Sequence, residues 1–372
     1  MQSLSKGAPG IALLHIERAR ADVGSWETAH TWLSAIVAKA VTRGPEAGLY
    51  FGAPAAAFAL HAAADRPGRY RRALATLDAA VAGIVRDRLD RAHDRIDRGV
   101  LPATGEFDLI SGLTGLGALL LRRDPNGLLC RDVLTYLVRL ANPLRYQGAA
   151  LPGWWTRLSP NNRVTAEFPH GHGNLGMAHG VTGPLALLSL AARAGVRVDG
   201  HDRAMRTMAT WLMDWRHLDD GGVWWPQWVV LDDNHQPRSV QEAPRRPSWC
   251  YGIPGIARAL QLAGLALSDQ ALLDTAEAAV GACLSQPVHL DQITDTSLCH
   301  GYAGVLQTVL RIARDARTLT IADGVVNLIE PLLERTSTDA SLLEGQAGVA
   351  LALHTLRHGA PTSGWDACLL LA

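Results

Sequence analysis

A Gly-x-x-Gly step followed by an apolar, helix-length run recurs seven times along the 372 residues. This repetition limits the fold before any single residue is considered. The copies begin at Gly7, Gly52, Gly112, Gly180, Gly252, Gly301 and Gly345, and the second carries Ala55 where the others have the later glycine. The segments after them are rich in Ala and Leu and apolar nearly all round, the sign of helices enclosed on every side. Between them lie stretches of ordinary amphipathic period, 28–41, 71–85, 131–140, 203–215, 269–284 and 320–333. These are polar on one side and suit an outer layer. Alternating the two kinds predicts an all-α fold, an α/α toroid of about seven inner helices wrapped by outer helices. The Gly-x-x-Gly loops would gather at one end, where glycine permits sharp turns and close backbone approach.

The chain reads as a single toroid domain over 1–372, with insertions over the rim at about 143–176 and 219–248. Both insertions mix Gly, Pro and Trp without helical period, so ordered loops or short β-ribbons are expected there. The two ends are uneven. The first motif starts at Gly7 with no stretch for an outer helix ahead of it, and 364–372 is only a short helical run. Six outer helices and this fragment are therefore expected to close a seven-membered ring, its seam open or covered by a partner.

A formal net charge of zero gives no electrostatic case for nucleic acid or an anionic membrane. The longest apolar runs, 116–121 and 185–192, are far short of a bilayer span. The N-terminus lacks the pattern of a signal peptide, so a cytoplasmic protein is expected. The five cysteines form an odd set in a chain of this size, which argues against a disulfide framework. Cys130, Cys283 and Cys368 lie in apolar helical patterns and read as buried small hydrophobes. Cys250 and Cys299 stand instead at loop-to-helix junctions.

What precedes the first glycine separates scaffold from site. The residues there are Lys6, Phe51, Ser111, His179, Tyr251 after Cys250, His300 after Cys299, and Glu344. Two thiols and two imidazoles thus fall in three consecutive copies, which are neighbours on a ring. Cys250, Cys299 and His300 offer two thiolates and one imidazole, a set that suits zinc with an exchangeable fourth position. A lone Cys or His at a helix start is as readily structural, and no Cys-x-x-Cys pair is present, so these residues alone leave both readings open. His170 and His172 resemble a metal pair in isolation but have only Glu167 for company and read as rim histidines.

Trp249-Cys250-Tyr251-Gly252, Leu298-Cys299-His300-Gly301 and Gly176-Met177-Ala178-His179-Gly180 resemble the signature motifs of the lanthionine synthetase C family, the lanthipeptide cyclases. Asp108-Leu109-Ile110-Ser111-Gly112 and Leu343-Glu344-Gly345-Gln346-Ala347-Gly348 resemble them too, so the likeness runs from the first glycine motif to the last. Tyr251 matches the stand-alone cyclases. The resemblance implies an α/α toroid with zinc on Cys250, Cys299 and His300. It implies a Michael addition in which a cysteine thiol of a dehydrated precursor peptide attacks dehydroalanine or dehydrobutyrine to form lanthionine or methyllanthionine. His179 is then the candidate for proton transfer, since imidazole titrates near working pH. Asp108 would orient His179, or serve only as the turn residue before Ser111-Gly112. Arg246 would stabilise an enolate oxygen or hold its loop through a carboxylate pair. Tyr251 would donate to substrate or pack beside the metal. A dehydratase partner is expected by the same analogy. Two other readings stay open: a relative that adds glutathione to dehydroamino acids, and a non-catalytic, zinc-stabilised peptide-binding toroid. A glycosidase or terpenoid cyclase on this scaffold lacks its acidic motif.

Overall fold

In the computed structural model of the chain, which describes residues 1–146, 148–160, 163–318, 320–335 and 338–372, inner and outer helices alternate. The first half runs α1 (Ala8–Arg20) inside, α2 (Trp26–Ile36) outside, α3 (Ala53–Ala62) inside and α4 (Arg71–Asp97) outside. After the turn α5 (Thr104–Phe107) come α6 (Leu113–Arg123) inside and α7 (Leu128–Leu140) outside, then α8 (Thr182–Arg193) inside and α9 (His201–Asp214) outside. The rest is α10 (Ile253–Leu267) inside, α11 (Gln270–Ser285) outside, the turn α12 (Pro287–Leu290), α13 (Tyr302–Asp315) inside, the outer pieces α14 (Thr320–Gly324) and α15 (Ile329–Glu334), and α16 (Gln346–His358) inside. Each inner helix packs on the next, and α16 packs back on α1, so the ring closes by direct contact. The fold is the expected α/α toroid.

The apolar-all-round segments are inside because no face of them can be left to water. In α3 every residue from Ala53 to Ala59 is buried, and in α10 every residue from Ile253 to Gly264. The outer helix α4 runs twelve residues past the expected 71–85, to Asp97. Its added part is strongly charged but keeps Leu89, Ala92 and Arg95 on the buried side, and Arg91 pairs with Asp87 one turn back. The expected helix 320–333 is broken into α14, a 3₁₀ turn and α15. Gly324 allows close packing on Leu284, where a Cβ would come within 2.8 Å, and Pro331 lacks the N–H that a continuous helix needs.

The seven inner-helix loops are tied by a belt of backbone hydrogen bonds at equivalent positions. Leu109 N–H donates to Ala178 O (3.1 Å), Met177 to Cys250 O (2.9 Å) and Cys250 to Cys299 O (3.2 Å). Cys299 continues it to Leu343 O (2.8 Å), Leu343 to Ser5 O (3.1 Å) and Leu4 to Tyr50 O (2.9 Å). The later glycine of the motif makes this belt possible. A Cβ on Gly304 would stand 2.0 Å from Leu298 O, and one on Gly255 2.2 Å from Trp249 O. The loop carbonyl lies where any side chain would begin.

The rim insertions form short antiparallel ribbons. β1 (Leu144–Tyr146) pairs with β2 (Ala149–Leu151), and β4 (His217–Asp219) with β5 (Gly222–Trp224). β3 (His172–Asn174) of the first insertion pairs with β6 (Trp228–Leu231) of the second, which also carries β7 (Pro237–Ser239). The two insertions therefore act as one cover.

The C-terminal segment departs from expectation. It is not an outer fragment at the seam: its 3₁₀ turn Trp365–Leu369 lies inside the ring, with Trp365, Cys368, Leu369 and Leu371 all at 0% exposure. Side chains of α1, α6, α10 and α13 all reach it (Glu17, Arg122, Arg258, Arg311), which only an axial position allows. A ring of seven helices leaves an axial space too wide for their own side chains, and this apolar run fills it. Among the described residues no helix is long and apolar enough to cross a membrane.

Candidate metal centre

The belt places Cys250 and Cys299 side by side, and the turn into α13 adds His300. One donor atom from each lies within 4.8 Å of the others, the one such group among the described residues. Gly252, with φ +107°, permits the turn that carries the chain from Cys250 and Tyr251 into α10. Cys250 is buried, while Cys299 and His300 are partly exposed.

The two thiols are pushed apart in their tendency to ionise. The hydrogen bond from Cys299 lowers the Cys250 pKa well below the ordinary thiol value, helped by His300 and Ser248 against the opposing effect of burial. Cys299 is driven the other way, by Cys250 first and then by burial. Two sulfur anions this close repel, and a divalent cation between them would let both be thiolates. Two thiolates and an imidazole are a donor set that zinc accepts. His300 Nε2 lies 3.5 Å from Asp295 Oδ2, the placement of a carboxylate that steadies a metal-binding imidazole.

His179 faces this group from the start of α8. Its Nδ1 donates to Asp108 Oδ2 at 2.6 Å. Burial alone would lower its pKa, but the bond to Asp108, that residue's charge and the charge of Cys250 outweigh it, and the pKa is raised. Asp108 bonds both to the turn that follows it and to His179. Its Oδ1 accepts the N–H groups of Ser111 (2.8 Å) and Gly112 (2.7 Å), while Oδ2 holds His179. At 2% exposure its position is set by these bonds.

Tyr251 lies against the backbone of Gly176, where a Cβ would come within 2.6 Å of its ring. Burial raises the pKa of its hydroxyl, which keeps its proton. Asn174, on β3, fixes which way that proton points. Gly176 N–H donates to Asn174 Oδ1 at 2.9 Å, so the amide nitrogen must face Tyr251, to whose oxygen it donates at 2.9 Å. The phenol therefore accepts from Asn174 and keeps its own O–H free to donate elsewhere. Arg246 Nη1 lies 3.5 Å from the same Asp295 Oδ2 that approaches His300. Glu344 pairs with Lys6 (3.3 Å) on the same end of the ring.

His170 and His172 stay outside the cluster. His172 is wholly buried with Nδ1 donating to Leu158 O at 2.8 Å, and the His170 ring lies beside His235. Asn174, Ser248 and Asp295 are the residues that motif reading missed. A signal for Asp295 exists in the repeat. Asp295 and Asp339 each accept a hydrogen bond from the serine two residues on, ahead of consecutive glycine motifs. Asn174 and Ser248 carry no such mark.

The family model described as lanthionine synthetase C-like protein matches residues 1–370. The nisin biosynthesis protein NisC of Lactococcus lactis subsp. lactis is 25% identical over 382 aligned residues, covering 99% of this chain and 88% of that protein. The solved structure of nisin cyclase superposes with a TM-score of 0.82 at 23% identity, covering 100% of this chain and 92% of that one. With a family model spanning nearly the whole chain, the protein belongs to the lanthionine synthetase C-like family.

Proposed function

We propose that the chain is a zinc-dependent lanthipeptide cyclase that closes thioether rings in a dehydrated precursor peptide. The observation that carries this reading is the convergence of Cys250, Cys299 and His300 beside an Asp108-held His179. The likeness to a nisin biosynthesis protein over 99% of the chain supports it. Cys250, Cys299 and His300 would hold the metal. When bound there, zinc would supply a site that lowers the pKa of the peptide thiol and keeps it as a nucleophilic thiolate.

The rest of the chemistry falls to side chains. Ring closure forms one C–S bond to the β-carbon of the dehydroamino acid and moves one proton from sulfur to the α-carbon. With Nδ1 committed to Asp108, only Nε2 of His179 is free to carry that proton. Negative charge develops on the carbonyl oxygen next to the α-carbon, and the Tyr251 O–H, left free because the phenol accepts from Asn174, is a donor for it. Arg246 acts through Asp295 on the setting of His300. The joined insertions cover the cleft and present Trp228 against Tyr251. A dehydration reaction must supply the substrate, which makes a dehydratase the natural partner.

Elemental analysis of the purified protein tests the metal, and a peptide with one dehydroalanine and one cysteine tests the reaction. Roughly one zinc per chain is expected, lost in Cys299→Ala and His300→Ala. Ring closure leaves the mass unchanged, so it is read as loss of an alkylatable thiol. Wild type should close the ring and His179→Ala should not. Well-folded wild type without zinc, or His179→Ala as fast as wild type, would overturn the reading.

A further inference from the structure

The segment 362–371 is fixed in the ring axis by bonds from helix side chains around it. Glu17 accepts the N–H groups of Thr362 and Ser363 (both 2.8 Å), and Arg122 donates to Ser363 O and Gly364 O (both 2.7 Å). Asp366, wholly buried, receives Arg311 through two bonds (2.6 and 2.8 Å) and Gln307 through one (2.7 Å). Arg258 donates twice to Leu371 O (3.0 and 2.7 Å).

Two further bonds have a different origin. Tyr50 O–H donates to Cys368 O at 2.8 Å, and Trp249 Nε1 donates to Leu369 O at 2.9 Å. Both donors belong to the loop belt. Tyr50 stands at the position that Cys250 and Cys299 hold in their own loops, and Trp249 directly precedes Cys250. Trp249 is wholly buried, its carbonyl is pinned over Gly255, and the next residue passes the belt from Cys250 N to Cys299 O. The carbonyls of the C-terminal segment are thus a floor on which the Cys250 loop and the Tyr50 loop rest.

We propose that Trp249 is a positioning residue for Cys250 and that the C-terminal segment is its seat, so that metal binding in the loops and docking of 362–371 in the axis are coupled. The proposal rests on the metal reading above. Coupling of this kind is reciprocal: whatever loosens the seat weakens the metal, and the metal steadies the seat by the same factor. A Trp249 that merely fills space would contribute to stability without linking the two.

The test uses zinc alone, without substrate. Zinc affinity is measured by competition with a chromophoric chelator for wild type, Trp249→Phe and Asp366→Asn. Trp249→Phe keeps an aromatic ring and removes the N–H; Asp366→Asn loosens the seat away from the loops. Hydrogen exchange of the peptide 362–372 is followed by mass spectrometry with and without zinc. Both variants should bind zinc about 10- to 100-fold more weakly, as loss of groups behind metal ligands does. Zinc should slow exchange in 365–371 of wild type and do so less in Trp249→Phe. Affinities within twofold of wild type in both variants, or exchange indifferent to zinc, would overturn the coupling. Should Trp249→Phe not fold, Asp366→Asn and the wild-type exchange decide alone. A wild type that takes up no zinc brings down the proposed function itself, and this inference with it.

Discussion

Asn174 accepts from Gly176 N–H and donates to Tyr251, and an amide can do both in one orientation only. Asn174→Asp reverses that polarity while keeping nearly the same shape. The carboxylate still accepts from Gly176, but it now takes the tyrosine proton, which can no longer be offered to substrate. The expected result is a fall in the ring-closure rate of about 10²-fold, the usual effect of losing one donor to a developing oxyanion. Tyr251→Phe should fall equally and the double variant no further, with zinc content unchanged. A rate for Asn174→Asp near that of wild type would show that the amide only props the ring. At this scale Cys250, Cys299, His300 and His179 stand out in the sequence because thiols and imidazoles fall one or two residues before the first glycine in three consecutive copies, while their roles rest on the family resemblance. Asn174 was not, because its part depends on a rim strand folding back over a loop far along the chain. Asp108 was half legible, since its two oxygens do different things and a sequence shows only one carboxyl.

Among the elements, the glycine motif suggests both sharp turns and close backbone approach, and at its later glycine close approach is what the structure shows. Gly304 and Gly281 make the contrast testable. A Cβ at Gly304 would lie 2.0 Å from the backbone oxygen of Leu298, next to Cys299, whereas one at Gly281 on α11 meets nothing within 4 Å. Gly304→Ala should therefore cost about 2–3 kcal/mol or more by overpacking and should weaken zinc binding as Cys299 shifts. Gly281→Ala should add about 0.5–1 kcal/mol through helix propensity. Urea unfolding measures both, and similar midpoints for the two variants would refute the distinction. The C-terminal run was the element misplaced. A short, mostly apolar run looks alike whether it covers a seam or fills an axis, and only the radius of a closed seven-helix ring settles which. The longer α4 has a related reason: its charges hide a buried stripe of Leu89, Ala92 and Arg95 about one turn apart.

For the whole molecule, the repeat count and helix polarity were enough to read the toroid, but a formal charge of zero said nothing about its response to acid. That response is set by burial. His172, on the rim, is wholly buried, and burial lowers its pKa to about 4 against an ordinary 6.5. His61, at the far end of α3, is also lowered to about 4, by burial and then by Arg122 and Arg123. Both are neutral in the folded chain while their unfolded counterparts protonate near 6.5. Below that point the unfolded state binds more protons, so stability falls as pH drops from 6.5 towards 4. His172 alone accounts for a loss on the order of 3 kcal/mol at full effect. Asp315 acts later. Burial opposes its ionisation, but Arg193 and Arg258 outweigh it and hold its pKa below the ordinary 3.8, so its contribution is lost only under more acid conditions. Urea unfolding between pH 7 and 4.5, with a chelator present to remove proton competition for zinc, should show the decline. His172→Gln, which retains a donor for Leu158 O, should start less stable at pH 7 and decline less steeply. A slope unchanged in that variant would mean that the acid response arises elsewhere than in the buried imidazole beneath the rim.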